Sequence, residues 1–292
     1  MKRKNLFVSF SGGETSAYMA YWLKKNKSKE YNMVFVFANT GQENEQTLEF
    51  IEKCDKEWKL NVVWIEAEVN PIKGKPTWYN IVDFKTASRN GKPFEKGISK
   101  FGIPNMVNNW CTRDLKLYPM TKYIKYGLGW DEYETAIGIR IDEIDRISKH
   151  RKENNLIYPL VSEHPTNKAK INLFWRDQNF RLKLKSYEGN CKACWKKTKN
   201  KLLTIAIEKP EYFDWVQKME LKYQDFVPKG KKNSMEKPVR WFRKNTTVQD
   251  LFNLAKFSFK KQYDESEIYT YQLDMFEDLD KPNGCNEHCE IY

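Results

Sequence analysis

The sequence predicts an α/β fold in which a parallel, twisted sheet is flanked by helices. Short apolar runs of strand length alternate with segments of helical periodicity over the first 180 residues. This alternation is typical of parallel strands joined by right-handed helical crossovers. A glycine turn between the first strand and the first helix also suits a sheet that binds an anion at the carboxyl ends of its strands.

The first unit is a strand at residues 6–10, a turn, and a helix over residues 15–25. The turn supplies glycines for close backbone approach together with hydroxyl donors: Ser9, Ser11, Gly12, Gly13, Thr15 and Ser16. Backbone N–H groups here would bind a phosphate or pyrophosphate. The turn is neither a Walker loop nor a dinucleotide fingerprint. The alternative is a plain Gly-Gly turn with a Ser/Thr helix cap.

A helix over residues 45–58 separates a second strand at residues 33–38 from a third at residues 62–65. The second strand ends in a polar segment containing Asn39, Thr40, Gly41 and Glu43. Since the carboxyl ends of parallel strands meet at one edge, this segment and the glycine turn should face the same crevice.

Residues 70–110 contain prolines, glycines and lysines without a long periodic pattern, which predicts an insertion or a lid over the site. Cys111 follows at a position where a helix could begin, with Arg113 and Lys116 within a turn of it. A helix N-terminus and nearby cations favour the thiolate form of such a cysteine.

A strand at residues 135–139 contains Gly138 and leads to Arg140, Asp142 and Arg146. Two arginines just past a strand end could grip a phosphate or sulfate in bidentate fashion. Taken alone, they would more often form surface ion pairs. The glycine turn at the same edge of the sheet favours anion binding.

An extended segment at residues 157–161 and a helix capped by Thr166 or Asn167 precede a Cys-x-x-Cys motif formed by Cys191 and Cys194. The two sulfurs of such a motif can meet one metal ion or each other, so it indicates metal, cluster or dithiol chemistry. Further helices are predicted at residues 201–207, 212–221 and 248–257.

The net charge of +12 is concentrated in one region. Residues 181–260 contain 20 Lys/Arg and 8 Asp/Glu, whereas residues 261–292 contain 2 and 9. The chain therefore divides into an α/β domain at residues 1–180, a basic helical region at 181–260 and an acidic, cysteine-containing tail at 261–292. The basic region suits a polyanion such as tRNA or DNA, and a solvated lysine-rich surface is the alternative.

No apolar run reaches the length of a membrane span, and the N-terminus lacks the pattern of a signal peptide. We therefore expect a cytoplasmic protein that has no membrane partner. In that compartment, the six cysteines are expected to be thiols, metal ligands or redox groups rather than structural disulfides.

Five motifs occur in order: Ser11-Gly12-Gly13-x-x-Ser16, Asn39-Thr40-Gly41, Cys111-Thr-Arg-x-Leu-Lys-x-x-Pro119, Gly138-Ile-Arg140-x-Asp142-Glu143-x-x-Arg146 and Gly189-Asn-Cys191-x-x-Cys194. This ordered set resembles the phosphoadenosine phosphosulfate (PAPS) reductase family of the PP-loop ATP pyrophosphatase superfamily. The match runs from about residue 5 to 200. It is similar to PAPS-reductase-like proteins of phages and bacteria and to DNA phosphorothioation sulfurtransferases.

The resemblance implies that an adenine nucleotide binds, either ATP or PAPS or adenosine phosphosulfate (APS), and it admits Mg²⁺ as a counter-ion. The phosphates would lie in the glycine turn, with Asn39, Thr40, Gly41 and Glu43 beside the ribose and adenine. Arg140 and Arg146 would hold the terminal phosphate or sulfate during catalysis, next to Asp142.

The resemblance also implies a metal site. Cluster-containing reductases use a Cys-Cys pair together with a later Cys-x-x-Cys, but here Trp110 occupies the first position of the pair. Three ligands remain: Cys111, Cys191 and Cys194. Held by three thiolates, a [4Fe-4S] cluster leaves one iron open, and several PP-loop tRNA thiolation enzymes use such an iron to carry sulfide. Cys285, Cys289 or His288 could instead supply a fourth ligand, and zinc would then be acceptable.

Three functions are compatible with this resemblance. The first is ATP-dependent transfer of sulfur from a sulfur donor to a nucleic acid, favoured by the open cluster position and the basic region. The second is reduction of PAPS or APS to sulfite with thioredoxin, in which Cys285 or Cys289 would be the nucleophile. Reductases of the family carry that cysteine in a C-terminal Glu-Cys-Gly-x-His segment, whose order this tail does not match. The third is a non-catalytic nucleotide-binding protein with a structural zinc, for which Glu14 in the glycine turn is an argument.

Overall fold

The computed structural model describes residues 3–270, and within them six strands form one sheet. The strands are β1 (Lys4–Ser9), β2 (Tyr31–Asn39), β3 (Val63–Glu68), β4 (Trp78–Val82), β5 (Glu134–Ala136) and β6 (Leu156–Ile157). Their order across the sheet is β4-β3-β2-β1-β5-β6, and all neighbours are parallel except β3 and β4. Since β2 and β5 lie on opposite sides of β1, a topological switch point lies between the carboxyl ends of β1 and β5.

The helices that accompany these strands are α1 (Glu14–Lys27), α2 (Glu45–Trp58), α3 (Lys92–Phe101), α4 (Tyr118–Lys122), α5 (Pro159–Ser162), α6 (Lys168–Arg176), α7 (Lys199–Glu208), α8 (Asp214–Tyr223) and α9 (Val248–Ala255). Short 3₁₀ segments occur at Ile141–Arg146, Ser186–Glu188, Pro210–Phe213, Lys229–Lys231, Arg243–Asn245 and Glu265–Glu267. No helix within residues 3–270 is both long and apolar enough to cross a membrane.

The helix that contains α4 begins at Cys111, as the sequence predicts, and has π-helical turns at Arg113–Leu117 and Tyr123–Gly127. Pro119 explains part of this geometry, because its ring nitrogen cannot donate a hydrogen bond to the preceding turn. The N–H of Tyr118 instead bonds to the carbonyl of Arg113, five residues back.

Both faces of the sheet are covered, because alternate residues of a strand point to opposite faces. Leu6 and Val8 of β1 belong to a core formed with α1, α2 and α6. Phe7 belongs to a second core on the other face, together with Met120, Tyr123 and Ile124 of the helix around α4. These packed layers confirm the predicted α/β class.

The basic region is helical, as predicted, and shares a core with earlier parts of the chain. Phe94 of α3 lies 5.4 Å from Trp215 and 5.5 Å from Trp241, measured between ring centroids. Trp110 and Cys111 belong to the same cluster. The proposed domain boundary near residue 180 stays a prediction.

The expected structure differs from the observed one at three places. Residues 70–110 contain β4 and α3; β4 is an edge strand whose residues Trp78 and Ile81 are exposed, so its apolar alternation is weak. The extended segment at 157–161 is shorter, because Pro159 begins α5. The strand at 135–139 ends at Ala136.

Candidate active site

The turn between β1 and α1 has the shape of an anion-binding loop. Gly12 has a left-handed φ of 82°, and a Cβ there would lie 2.6 Å from Thr47 Cγ2 and 2.8 Å from Ile51 Cδ1 of α2. Only glycine therefore fits this turn. Gly13 is extended and caps α1, whose first N–H groups have no side-chain partner at the cap. The helix N-terminus is thus available to an anion.

Hydroxyl groups stabilise the loop from within. The Ser11 hydroxyl donates to Ser16 Oγ at 2.9 Å, and the Ser16 hydroxyl donates to the carbonyl of Gly13 at 2.9 Å. Gly138, after β5, lies so close that a Cβ there would be 3.1 Å from Ser16 Cα. The absence of a side chain at Gly138 brings the ends of β1 and β5 together.

A cleft of about 420 Å³ opens beside this loop, and we call it the phosphate-loop cleft. Its size is that of a small-molecule site, and it lies at the switch point between β1 and β5. Most of its polar wall comes from four segments: the loop itself (Ser11, Gly13–Ser16), the segment after β5 (Gly138, Arg140, Asp142, Glu143, Asp145, Arg146), Lys168, and Lys185, Ser186, Gly189, Asn190 and Lys201 of the basic region. Ser9 and the segment at residues 39–43 are not part of this wall.

The two predicted arginines are both in the cleft, where carboxylates hold them. Arg140 donates from Nε to Asp142 at 2.9 Å and from Nη1 to Thr15 Oγ1 at 3.1 Å. Glu143 forms ion pairs with Arg140 and Arg146. This network fixes the guanidinium groups next to the loop, but it also offsets their charge.

Lys168 is a cleft residue that the sequence did not single out. It is the first residue of α6, and Asn167 caps that helix by accepting a hydrogen bond from the Lys170 N–H at 2.9 Å. Burial lowers the pKa of the Lys168 ammonium; the nearby Arg140 lowers it further, whereas Glu14 raises it. Among residues 3–270 no carboxylate forms an ion pair with this ammonium. It therefore adds a positive charge to the cleft, which the carboxylates of Glu14 and Glu265 in the same wall partly offset.

Glu14 places a carboxylate inside the loop, and Arg181 neutralises it. The guanidinium donates from Nε and Nη2 to the two carboxylate oxygens at 3.0 and 3.2 Å. The indole N–H of Trp175 donates to the Glu14 carbonyl at 3.1 Å. Glu14 thus ties the loop to α6 and to the start of the basic region. No local pattern around Arg181 indicates this pairing.

Three of the predicted sulfur residues line a second, smaller space, which we call the cysteine cavity. Cys111, Cys191 and Cys194 share its wall with Thr40, Phe94, Thr112, Leu115, Lys116, Trp195 and Trp241. All three cysteines are buried. The fold therefore brings together a helix N-terminus and a loop that are about 80 residues apart in the sequence.

The loop that carries the Cys-x-x-Cys motif is held by backbone contacts. The N–H of Lys192 bonds to the carbonyl of Gln42 at 3.0 Å, and the indole of Trp241 donates to the carbonyl of Ala193 at 3.1 Å. The buried Lys197 ammonium donates to the carbonyls of Tyr187 and Gly189. These contacts position the two thiols.

The segment after β2 contacts the thiols. Thr40 Oγ1 lies 3.6 Å from Cys191 Sγ, and Glu43 Oε1 lies 4.0 Å from the same sulfur and 3.8 Å from Lys116 Nζ. The Asn39 amide donates to Glu66 at 2.6 Å, and its oxygen accepts from the Gly41 N–H at 3.2 Å. The predicted contact of Asn39, Thr40, Gly41 and Glu43 with a ribose or adenine stays a prediction.

The cysteine cavity offers donor atoms of the type that ligate a metal or cluster, but it is not shaped to hold one as it stands. Three sulfur donors face one space, and Trp195, also in its wall, has a buried indole N–H without an acceptor among the described residues. The space is about 20 Å³, the size of one water, so a cluster would require the walls to move apart. Within residues 3–270 no group of three or more His, Cys, Asp or Glu is arranged to hold a metal ion. Cys285, His288 and Cys289 lie outside the described residues.

A phosphate-type loop at the switch point of a parallel sheet, with a polar cleft beside it, defines a nucleotide-binding α/β protein of the PP-loop type. The phosphoadenosine phosphosulfate reductase domain matches residues 5–158, and the chain belongs to this family. The family consists of nucleotide-binding enzymes of sulfur chemistry. The matched span includes Cys111 and both arginines, whereas Lys168 and the Cys-x-x-Cys motif lie beyond it.

Individual relatives support this assignment. The chain is 34% identical over 198 residues to the uncharacterised nin region protein ORF290 of Escherichia phage lambda, covering 67% of each protein. Two uncharacterised proteins of Methanocaldococcus jannaschii are 25% and 30% identical over 52% and 42% of the chain. The matched parts are only 26% and 24% of those two proteins.

Proposed function

We propose that this protein uses ATP to activate a nucleic acid and then transfers sulfur to it. One observation carries the proposal: a single loop lines both spaces. Gly189 and Asn190 line the phosphate-loop cleft, and Cys191 and Cys194, which follow directly, line the cysteine cavity. A nucleotide in the cleft would thus have the thiols on the other side of one short loop, which supports coupling of nucleotide chemistry to sulfur chemistry.

The reaction needs two displacements. An oxygen of the acceptor attacks the α-phosphorus of ATP, and pyrophosphate leaves. AMP on that oxygen is a good leaving group, so a sulfur nucleophile at the oxidation level of hydrosulfide attacks the adjoining carbon and expels AMP. Sulfur replaces oxygen, AMP and pyrophosphate are released, and no oxidant or reductant is consumed.

The cleft residues would stabilise the charge that develops on the phosphates. The N-terminus of α1 offers N–H groups, Arg140 is oriented by Asp142, and Lys168 contributes a cation without a carboxylate partner among the described residues. Arg146 would hold the terminal phosphate, and Mg²⁺ would accompany the nucleotide.

Cys111, Cys191 and Cys194 would hold the sulfur-handling group, for which we propose a [4Fe-4S] cluster. When bound, such a group supplies an open coordination position for sulfide. Lys116 is part of the cavity wall, and its Nζ lies 3.8 Å from Glu43 Oε1. Its ammonium would keep positive charge beside the thiolates.

The test is nucleotide consumption by anaerobically purified protein, with AMP and pyrophosphate measured in the presence and absence of tRNA or DNA. We expect AMP and pyrophosphate in equal amounts, stimulated by nucleic acid, and nucleic-acid binding that weakens with salt. Failure both to cleave ATP to AMP and pyrophosphate and to bind nucleic acid would rule the proposal out.

Reduction of PAPS or APS is the second candidate, favoured by the match to the reductase domain itself. A cysteine thiolate would attack the sulfate sulfur and displace the nucleotide, and the dithiol of thioredoxin would then release sulfite and become a disulfide. Sulfite release that disappears in Cys285→Ser or Cys289→Ser would establish this reaction. Turnover that persists in both variants would exclude this mechanism.

A further inference from the structure

A stripe of exposed aromatic and basic side chains lies where β4 and the helix around α4 meet at the edge of the sheet. We define the aromatic–basic stripe as Trp78, Tyr118, Lys122, Lys125 and Tyr126. Three of these are large rings that folding leaves in solvent: Trp78 is 41% exposed, Tyr118 41% and Tyr126 55%. Large exposed rings that cluster in this way are typical of binding surfaces.

The rings form a supported platform. The Trp78 and Tyr126 rings have centroids 5.2 Å apart, and Trp78 stacks on Tyr79 at 5.5 Å with 19° between the planes. Tyr79 in turn packs edge-on against Tyr123, which belongs to the core beneath the sheet. The exposed rings are therefore backed by packed side chains, and binding would order little further structure.

Two lysines give this platform a positive charge. Lys122 Nζ lies 5.5 Å from the centroid of Trp78 and 4.9 Å from that of Tyr126, and Lys125 Nζ lies 5.8 Å from that of Tyr126. Among the residues described, neither ammonium pairs with a carboxylate.

The stripe runs along the helix that begins in the cysteine cavity. Tyr118 and Tyr126 are separated by eight residues, about 12 Å of helix, and Tyr118 lies about 10 Å beyond Cys111. The opposite side of this helix is buried through Met120 and Ile124. One helix thus connects a thiol at its N-terminus with exposed rings and cations farther along.

We infer that the aromatic–basic stripe binds a single-stranded segment of nucleic acid. Unpaired bases stack on exposed rings, and lysines beside the rings neutralise the phosphates. A duplex conceals the faces of its bases, so it cannot use the rings in this way. The inference rests on the proposed function, because the stripe would guide the acceptor nucleic acid to the cysteine cavity.

Fluorescence anisotropy with a labelled 12-nucleotide single-stranded RNA, its DNA counterpart and the matching duplex tests this surface. Replacing both rings, Trp78→Ala with Tyr126→Ala, should weaken single-strand binding roughly tenfold or more, whereas Trp78→Phe with Tyr126→Phe should retain most of it. Lys122→Gln with Lys125→Gln should reduce the slope of log affinity against log salt by about 1.4. Lys25→Gln with Lys29→Gln, at the end of α1 on the other face of the sheet, is the charge-matched control.

Unchanged single-strand affinity in the ring and lysine variants, an equal loss in the control pair, or equal binding of the duplex would overturn the inference. AMP formation measured on the same proteins separates the two proposals. If the protein cleaves ATP to AMP and pyrophosphate but its nucleic-acid affinity is unchanged in the stripe variants, the inference about the stripe is wrong and the proposed function stands. If nucleic-acid binding depends on the stripe but no AMP is formed, the stripe is a binding surface and the proposed function is wrong.

Discussion

Arg181 donates two hydrogen bonds to the carboxylate of Glu14, although the two residues are 167 positions apart in the sequence. This ion pair links the start of the basic region to the phosphate loop. Because Glu14 belongs to the loop, its charge would otherwise repel a phosphate. We therefore expect nucleotide binding to depend on Arg181, which lies beyond the matched family domain.

Arg181→Ala should therefore weaken ATP binding. Loss of a charged hydrogen-bond partner leaves a buried carboxylate beside the anion, and a cost of about 1.5–3 kcal/mol corresponds to roughly a 10- to 100-fold higher dissociation constant. Isothermal titration calorimetry with a nonhydrolysable ATP analogue measures this change in the dissociation constant. Adding Glu14→Gln to Arg181→Ala should recover most of the affinity, and a double variant as weak as Arg181→Ala alone would contradict this role.

Lys168→Met should weaken binding of ATP and of pyrophosphate, because Lys168 contributes an ammonium to the wall of the phosphate-loop cleft. The pKa of Lys168 is below the ordinary 10.5 in the free protein, so the protonated form of its ammonium destabilises the folded, unliganded protein. This destabilisation is lost as the pH rises through the lowered pKa, because Lys168 then becomes neutral. A bound phosphate favours the protonated form, so affinity should fall over the same pH range.

Calorimetry at several pH values on the alkaline side of neutrality checks this dependence. Lys168→Met should lack the pH-dependent part of the affinity. Lys170→Gln, two residues away on the exposed side of α6, is the matched control and should behave as the wild type. An identical pH profile for wild type and Lys168→Met would refute the assignment.

Gly12→Ala should destabilise the protein and abolish nucleotide binding. A side chain at Gly12 would be in the left-handed region and would collide with Thr47 and Ile51. Strain and overpacking together should lower the free energy of unfolding by about 2–5 kcal/mol. Urea denaturation measures this loss of stability. Gly230→Ala is the control, because nothing lies within 4 Å of a Cβ at Gly230. Equal stability of the two variants would contradict the loop geometry.

Cys111→Ser, Cys191→Ser and Cys194→Ser should each reduce iron and sulfide content after anaerobic reconstitution. All three thiols face one cavity, so loss of any one removes a ligand of the proposed cluster. Metal analysis and the broad absorption near about 400 nm report the loading. Cys54→Ala should load normally, since Cys54 lies in α2, where burial raises its pKa and keeps it a neutral thiol. Stoichiometric zinc in place of iron would favour the structural role.

Much of this arrangement could be predicted from local sequence. The buried strands, the glycine loop and the cap at Asn167 each have a pattern confined to a few residues. Lys168 and Arg181 have no such pattern, because their roles come from burial and from partners that only the tertiary structure brings near. For β4 the edge position left Trp78 and Ile81 exposed and removed the usual alternation. The contact of Thr40 with Cys191 likewise depends on how two distant loops pack.

The central claim is best tested by supplying ATP, labelled hydrosulfide and nucleic acid to the anaerobically reconstituted protein, and measuring AMP, pyrophosphate and labelled sulfur in the nucleic acid. Our account predicts that the three appear in equal amounts and that labelling is lost with Cys191→Ser. Sulfite release from PAPS or APS with reduced thioredoxin, without AMP from ATP and without labelled nucleic acid, would contradict it.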